Sequence, residues 1–244
     1  MKTKGPEPLR GVLIDLDGTI ADSIDFFYGL ACEMLLAAKC PPPERGDVLD
    51  AIANGLVPHE RFLPSDFPDR EEFLARIRTE RYPEWIRRYG EEIEPLCGAL
   101  EAVEALHRRG FRLALVTSSS GPLPFLDRWG IRRCFSAIVG RDHVRRIKPD
   151  PEAVVLALDR LGLVAAETLN VGDTPLDVRA AHGAGVRTVG VLTGAGSEEQ
   201  LRLAGASPIL RSLAELPDFI ERSFSGRSDE GCDVRPSEQR FTRS

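Results

Sequence analysis

The stretch "GVLIDLDGTIADS" (residues 11–23) decides the fold, because it joins a hydrophobic run to two closely spaced acids. Residues 11–14 and Leu16 are typical of a strand that is buried on both faces, as in a parallel sheet. Asp15 and Asp17 lie at the end of this run. Burying a carboxylate without a partner costs several kcal/mol. We therefore expect the two acids to face a cation.

The bulk composition excludes several classes of protein. The 244 residues are 42% hydrophobic and 29% charged, as is usual for a globular protein. The net charge of −6 argues against a protein that binds nucleic acid or anionic membranes, which would carry a basic excess. A small anionic ligand remains compatible with this charge, because a single site can be locally positive.

The cysteines and the first residues indicate the compartment. The five cysteines form an odd set without a CxxC pair, so neither a disulfide framework nor a zinc site is predicted. The start, "MKTKGPEPLR" (1–10), is polar and lacks the apolar centre of a signal peptide. No apolar run approaches the roughly 20 residues that a membrane span needs. We expect a soluble, cytoplasmic protein.

Short apolar runs alternate with helical patterns along the chain, which predicts βαβ units and a mostly parallel sheet. Glycines close several of the helical patterns, as expected at helix ends. The predicted strands are residues 11–17, 112–118, 137–140, 168–173 and 187–192.

Nearly a hundred residues separate the first two strands, far more than one crossover helix needs. Their apolar spacing is helical throughout. We predict an α/β fold whose Rossmann-like parallel sheet core spans residues 1–22 and 95–224. A small α-helical domain, residues 23–94, is inserted after the first strand and is called the helical insertion below. The polar stretch 225–244 is predicted to be a disordered tail.

Reactive side chains follow several predicted strands, at the sheet edge where α/β proteins bind ligands. Asp15 and Asp17 are two apart and so point to the same side where the first strand ends. Lys148 is the only lysine after residue 39, in a chain with only four lysines among its 32 basic residues. The other candidates are Thr117 and Ser118 after the second strand, and Asp173 and Asp177 after the fourth.

These residue types suit phosphoryl chemistry. A carboxylate can attack phosphorus and form an acyl phosphate, and Asp15 and Asp173 together could hold Mg²⁺. Asp17 can protonate the leaving oxygen and then activate water. The Thr117 hydroxyl and neighbouring amides can hold phosphate oxygens. The compact charge of Lys148 can neutralise both the attacking carboxylate and the phosphate.

The order of four motifs resembles the haloacid dehalogenase-like superfamily. The resemblance covers residues 13 to 216, and no motif residue is missing. The late segment "VLTGAGSEEQLRLAGASPIL" (191–210) is similar to the phosphoglycolate phosphatase-like branch, and the helical insertion looks like the small helical (C1-type) cap of the family. The motifs are "DLDGT" (15–19), "VTSS" (116–119), "IKPDP" (147–151) and "GDTPLD" (172–177).

The resemblance implies roles for these residues. Asp15 would be the nucleophile, and Asp17 the acid/base whose backbone carbonyl also contacts the metal. Lys148 would be the motif lysine. The fourth motif supplies Asp173 as a metal ligand and Asp177 close behind it, a position that could also serve only to begin a helix.

Phosphate and leaving-group contacts are less sharply indicated. Gly18 would permit close approach of the phosphate, and Thr117 is the motif-two hydroxyl. Ser118 is a phosphate-binding candidate by position alone, since strand ends often carry hydroxyls. Arg61 and His59 follow "ANGLVP" (53–58) and could contact the leaving group, with a solvated surface as the alternative.

The expected function is a Mg²⁺-dependent phosphatase that hydrolyses a small phosphate monoester through an aspartyl phosphate, as a monomer or homodimer. Phosphoglycolate, sugar phosphates and nucleotides all suit such a core. A haloalkanoate dehalogenase is disfavoured, because such members usually lack the second acid and the metal. A β-phosphoglucomutase-like phosphosugar mutase would keep every motif. A catalytically silent scaffold that binds phospholigands is the third alternative. The intact acids and lysine argue against it, because a protein without catalysis can lose these residues freely.

Overall fold

The computed structural model describes residues 8–120 and 123–224, so the predicted disordered tail lies outside the described residues. Six strands form one sheet in these residues, and every pair of neighbours is parallel. The strands are β1 (Gly11–Ile14), β2 (Arg112–Val116), β3 (Phe135–Val139), β4 (Thr168–Gly172), β5 (Arg187–Val191) and β6 (Ile209–Leu210). Their order is β3–β2–β1–β4–β5–β6. The predicted α/β fold with a parallel sheet is confirmed.

The strand boundaries differ from the prediction in one consistent way. All five predicted strands, β1 to β5, end one to three residues before the predicted end, and β3 also begins two residues earlier than predicted. The candidate site residues directly follow the strand ends: Asp15 follows β1, Thr117 follows β2 and Asp173 follows β4. The two-residue strand β6 was not predicted.

Helices cover both faces of the sheet, which explains why β1 and β4 are buried along their whole length. Along β1, Val12 and Ile14 pack into one hydrophobic cluster and Leu13 into the opposite one, as expected for alternating strand side chains. The core helices are α6 (Ala99–Arg108), α7 (Pro124–Arg128), α8 (Glu152–Leu161), α9 (Pro175–Gly183), α10 (Glu198–Ala204) and α11 (Leu216–Phe224).

Residues 15–111, all of which are described, contain helices and no strand longer than an isolated bridge. The helices between β1 and α6 are α1 (Ile24–Ala37), α2 (Arg45–Ala53), α3 (Pro58–Phe62), α4 (Arg70–Arg76) and α5 (Tyr82–Tyr89), with a π-helical turn at Ile77–Arg81. They enclose a hydrophobic cluster of their own, which includes Leu30, Met34 and Leu74. The division into two domains stays a prediction.

The two chain segments that join the helical insertion to the core run side by side. Asp22 N donates to Glu94 O at 2.9 Å, and Leu96 N donates to Ile20 O at 2.8 Å. The insertion therefore leaves and re-enters the core at one place, directly beside the end of β1. Among the described residues, no helix is both long and apolar enough to cross a bilayer.

Candidate active site

The carboxyl ends of four adjacent strands bring the candidate residues together. Asp15 N still donates to Val171 O of β4 at 3.0 Å, so the backbone of this nucleophile candidate is held against the sheet. A tight turn follows, in which Gly18 has φ +76° and its N–H donates to Ala21 O at 2.9 Å. A Cβ at Gly18 would lie 2.7 Å from Asp173 Oδ2, so glycine is required by both conformation and space.

Lys148 connects three parts of the site. Its Nζ donates to Asp15 Oδ1 at 2.6 Å, to Asp177 Oδ1 at 2.6 Å and to Val116 O at 2.7 Å. The side chains of Lys148, Asp15 and Asp177 are all buried. Burial alone would lower the pKa of Lys148, but the two carboxylates outweigh burial and raise it. The lysine is therefore fully charged at neutral pH.

Three buried acids share this single lysine. Oxygens of Asp15, Asp173 and Asp177 lie within 4.8 Å of one another. Burial raises the pKa of Asp15 to about 7, against the opposing effect of Lys148. Burial, followed by repulsion from Asp15 and Asp177, raises the pKa of Asp173 well above its ordinary value. The crowded negative charge calls for a second cation besides the lysine.

The donor set fits Mg²⁺, which prefers hard oxygen ligands and one or two carboxylates. Asp173 is held in place by Ala195 N, which donates to its Oδ2 at 2.8 Å. A Cβ at Gly194 would lie only 1.8 Å from that oxygen, so the loop after β5 can wrap the carboxylate only because it carries glycine there.

Asp177 has both oxygens engaged by protein groups. Oδ1 accepts from Lys148, and Oδ2 accepts from Thr174 N at 3.0 Å and from Thr174 Oγ1 at 2.6 Å. The same contacts cap the start of α9. This acid is thus arranged to orient the lysine and begin a helix, with less freedom to bind a metal directly than Asp15, whose side chain accepts only from Lys148 among the described residues.

Asp17 is separate from the lysine network. Ser119 Oγ donates to Asp17 Oδ2 at 2.8 Å. Burial raises the pKa of Asp17, and the Ser119 hydrogen bond opposes this rise. A carboxyl whose pKa is raised holds its proton to higher pH than an ordinary aspartate, which suits a group that gives and takes protons.

The motif-two segment is rigidly held. Thr117 N donates to Val139 O at 2.9 Å, which extends the β2–β3 pairing, and Thr117 Oγ1 accepts from Ser119 N at 3.0 Å. Thr117 is buried beneath the site, whereas Ser118 lines the cleft above it. Because the Thr117 hydroxyl accepts from Ser119 N, its own hydrogen can still be donated to a group in the cleft.

A cleft of about 530 Å³ lies between the sheet edge and the helical insertion. Asp15, Asp17, Ser118, Lys148 and the fourth-motif acids form its core side. The facing side of the insertion is largely apolar, with Phe27, Leu30, Leu56, Val57 and Ile77.

The two leaving-group candidates of the insertion are placed differently. Arg61 is not among the residues that line the cleft, and its guanidinium lies 6.0 Å from the Phe62 ring centroid. His59 lines the cleft and is buried. Burial lowers the pKa of His59, so the neutral imidazole predominates at pH 7.

The sequence analysis did not single out several polar residues that line the cleft, namely Glu60, Arg78, Tyr82, Ser119, Ser120, Arg141 and Thr174. Arg141 carried a usable signal, because it follows a predicted strand as the other site residues do. Arg78 and Tyr82 carried none, because the helical pattern does not say which face turns toward the core.

Comparison with known proteins agrees with this geometry. A family model for haloacid dehalogenase-like hydrolases matches residues 12–191, which contain every motif residue described above. This chain belongs to the haloacid dehalogenase-like hydrolases.

Individual hydrolases of the family are similar over most of their length. The chain is 30% identical to pyrophosphatase PpaX of Halalkalibacterium halodurans, over 87% of this chain and 97% of the relative. It is 31% identical to phosphoglycolate phosphatase of Salmonella typhimurium, over 85% and 91%. The structure of CbbY from Rhodobacter sphaeroides in complex with phosphate matches with a TM-score of 0.67 and 28% identity, over 85% and 96%.

Other matching structures include a predicted phosphoglycolate phosphatase and a putative beta-phosphoglucomutase. Similarity of fold therefore does not separate hydrolysis of a phosphate ester from phosphoryl transfer back to a sugar.

Proposed function

We propose that this haloacid dehalogenase-like hydrolase is a cytoplasmic, Mg²⁺-dependent phosphatase of small phosphate monoesters that acts through an aspartyl phosphate. The observation that carries the proposal is the buried constellation of Asp15, Lys148 and Asp173, with Asp17 beside it on a separate hydrogen bond. The phosphatase and pyrophosphatase relatives support hydrolysis of a phosphate bond. The cysteines at 32, 40, 97 and 134 are free, which supports a reducing compartment.

Asp15 is proposed as the nucleophile. Its Oδ1 accepts from Lys148, whereas its Oδ2 accepts no hydrogen bond from residues 8–120 and 123–224. An oxygen of this carboxylate attacks phosphorus, the bond from phosphorus to the ester oxygen breaks, and an aspartyl phosphate forms. Lys148 offsets the negative charge that accumulates as the phosphate approaches a carboxylate.

Asp17 is proposed as the acid/base. Its protonated carboxyl gives a proton to the leaving oxygen as the ester bond breaks. The resulting carboxylate then takes a proton from the water that attacks the aspartyl phosphate, which releases inorganic phosphate and restores Asp15.

The residues that would hold the metal are Asp15, Asp173 and the backbone carbonyl of Asp17, with Asp177 orienting Lys148 behind them. A bound Mg²⁺ would neutralise the carboxylates and polarise the phosphoryl oxygens. Thr117, Ser118 and the turn at Gly18 are proposed to hold the phosphate.

The helical insertion is proposed to act as a cap domain over the cleft. It would exclude bulk water from the aspartyl phosphate and select the leaving group. Arg61 remains a weaker proposal for a substrate contact than the residues that line the cleft. The chain is expected to act as a monomer or homodimer.

The test is phosphate release from a panel of small monoesters, with Mg²⁺ and with chelator. Asp15→Asn removes the proposed nucleophile, and Asp159→Asn on the exposed face of α8 is the matched control. We expect metal-dependent release that is lost in Asp15→Asn and kept in the control. Release that survives both Asp15→Asn and chelator would contradict the proposal.

The two alternatives give different products. Conversion of a sugar phosphate to its isomer, without free phosphate, would identify a mutase. Binding of phosphate esters without any turnover, by folded protein, would identify a silent scaffold.

A further inference from the structure

The loop that joins β5 to α10, residues 192–197, contacts the candidate metal ligand Asp173 on one side and is called the β5–α10 loop below. Ala195 N donates to Asp173 Oδ2 at 2.8 Å, and Gly196 N donates to Asp173 O at 3.1 Å. A Cβ at Gly196 would lie only 2.3 Å from that carbonyl oxygen, so glycine permits this close approach. The loop therefore holds both the backbone and the carboxylate of Asp173.

The opposite side of the same loop packs against the helical insertion. Ala195 is buried and joins Ile24 of α1 and Ala53 of α2 in one hydrophobic cluster. Leu49 and Ile52 of α2 pack against this cluster. Among the described residues, Ala195 is the only member of the cluster that lies outside the insertion. One residue thus contacts Asp173 through its backbone and the insertion through its side chain.

A polar contact links the same two elements. Gln200 Nε2, in the first turn of α10, donates to Asp50 Oδ1 of α2 at 2.9 Å. Gln200 Oε1 accepts from Ser197 N at 2.9 Å, and Ser197 is the N-cap of α10 and the last residue of the loop. This contact therefore holds α2 against the end of the loop that carries Ala195.

The end of α2 also contacts the core beside the fourth motif. A Cβ at Gly55, two residues after α2, would lie 3.3 Å from Leu176 Cδ1. Leu176 immediately precedes Asp177 in α9. The position of α2 is thus defined by core segments that carry or hold the two fourth-motif acids.

We propose that Ala195 is a positioning residue that couples the docking of α2 to the orientation of the Asp173 carboxylate. With α2 packed on the β5–α10 loop, the buried cluster holds the Ala195 amide against Asp173 Oδ2. When α2 leaves the loop, the amide loses this support and the carboxylate gains freedom.

The coupling acts in both directions. Mg²⁺ binds more tightly when α2 is docked, and by thermodynamic linkage Mg²⁺ stabilises the docked insertion by the same factor. This inference rests on the proposed Mg²⁺-dependent function and adds the residue through which the insertion acts on the metal site.

The test compares matched substitutions in the insertion and one in the loop. Leu49→Ala removes a side chain that packs against the cluster and does not line the cleft. Leu36→Ala is the control, because Leu36 is a leucine of α1 that is 59% exposed. Ala195→Gly removes the methyl group from the cluster and keeps the amide. The measured quantity is the dissociation constant of Mg²⁺ by calorimetry, for wild type, the single variants and the double variant Leu49→Ala/Ala195→Gly.

We expect Leu49→Ala and Ala195→Gly each to weaken Mg²⁺ binding by about 5- to 20-fold, at the lower end of the usual range for coupled sites. The double variant should lose no more than the larger single effect, because both substitutions break the same connection. Leu36→Ala should bind Mg²⁺ as wild type does. Equal affinities in Leu49→Ala and Leu36→Ala, or additive losses in the double variant, would overturn the inference. Lower stability in urea with unchanged Mg²⁺ affinity would do the same, since it would show a merely structural contact.

Hydrogen exchange measures the reverse effect. Mg²⁺ should slow amide exchange in α2 of the wild type relative to α4, another helix of the insertion. This protection should be absent in Ala195→Gly. Exchange in α2 that does not respond to Mg²⁺ in the wild type would contradict the coupling.

Phosphate release separates this inference from the proposed function. If the wild type binds Mg²⁺ but hydrolyses no ester, the phosphatase proposal fails, and weaker Mg²⁺ binding in Leu49→Ala would still uphold the coupling. If phosphate release requires Mg²⁺ while Leu49→Ala keeps the wild-type affinity, the coupling fails and the proposed function stands. A wild type that binds no Mg²⁺ would overturn both.

Discussion

Lys148 Nζ lies 2.6 Å from Asp15 Oδ1, although the two residues are 133 positions apart in the chain. The same ammonium contacts Asp177 in the first turn of α9 at 2.6 Å, so one charge is shared by two buried acids from different elements. A buried acid without this partner would face a large desolvation cost. The pair is therefore expected to matter for both stability and chemistry.

Replacing Lys148 with methionine keeps most of the side-chain length and removes the charge. We expect the free energy of unfolding at pH 7 to fall by about 3–5 kcal/mol, because the buried carboxylates lose their counter-charge. Phosphate release should fall by about 10²- to 10³-fold. Urea unfolding and a phosphate assay measure the two effects, with Arg145→Met as an exposed control. Unchanged stability together with unchanged turnover would show that the lysine is dispensable.

The stability of the metal-free protein should depend on the ionisation of Asp15. Its pKa of about 7 in the fold exceeds its ordinary value, so the folded state binds more protons than the unfolded state between about pH 4 and 7. This contribution to stability is present at low pH and is lost as the pH rises, at up to about 1.4 kcal/mol per pH unit.

Asp15→Asn isolates this contribution, because asparagine does not titrate. With chelator, the stability of the variant relative to wild type should rise between pH 5 and 7, as measured by urea unfolding. With saturating Mg²⁺, the difference in stability between variant and wild type should depend much less on pH, since a bound cation favours the ionised acid. A pH-independent difference with chelator would rule out a titrating Asp15.

Gly194→Ala should disable the proposed metal site while leaving the sheet intact. The new Cβ would overlap Asp173 Oδ2 at 1.8 Å and force the carboxylate to move. We expect Mg²⁺ affinity, measured by calorimetry, to fall at least about tenfold, because a misplaced ligand loses its oxygen–metal contact. Gly46→Ala in α2 is the control, since its Cβ meets nothing within 4 Å. Equal Mg²⁺ affinities in the two variants would contradict the metal assignment of Asp173.

Ser119→Ala should change the pH dependence of turnover. The lost hydrogen bond favoured the ionised form of Asp17, so its pKa should rise further. The limb of the pH–rate profile that reports Asp17 should therefore move to higher pH, with a drop in kcat of about 3- to 30-fold. Ser136→Ala on the exposed side of β3 serves as the control. A profile that keeps its shape and falls only in height would assign Ser119 another role.

The convergence of Asp15, Asp173 and Lys148 could be predicted because parallel strands end at a common edge, and their residue types carry a specific chemistry. The strand β6 could not, because two residues contain no periodicity. Arg61 and Arg78 show a further limit. Both are arginines in helices of the insertion, yet only Arg78 lines the cleft. Which of the two arginines lines the cleft depends on how the helices pack on the core, and the spacing of apolar residues along the sequence does not encode this packing.

The paired crossing at Ile20–Leu96 and Asp22–Glu94 gathers both ends of the helical insertion at one point of the core. Both covalent links between the insertion and the sheet run side by side, so a swing about this short ribbon would widen the cleft without breaking a strand pairing. The two ends of the insertion are close enough that a different helical segment could leave and re-enter the core at the same place. On the proposed cap function, a change in the insertion would alter substrate choice without altering the residues at the sheet edge that carry the chemistry.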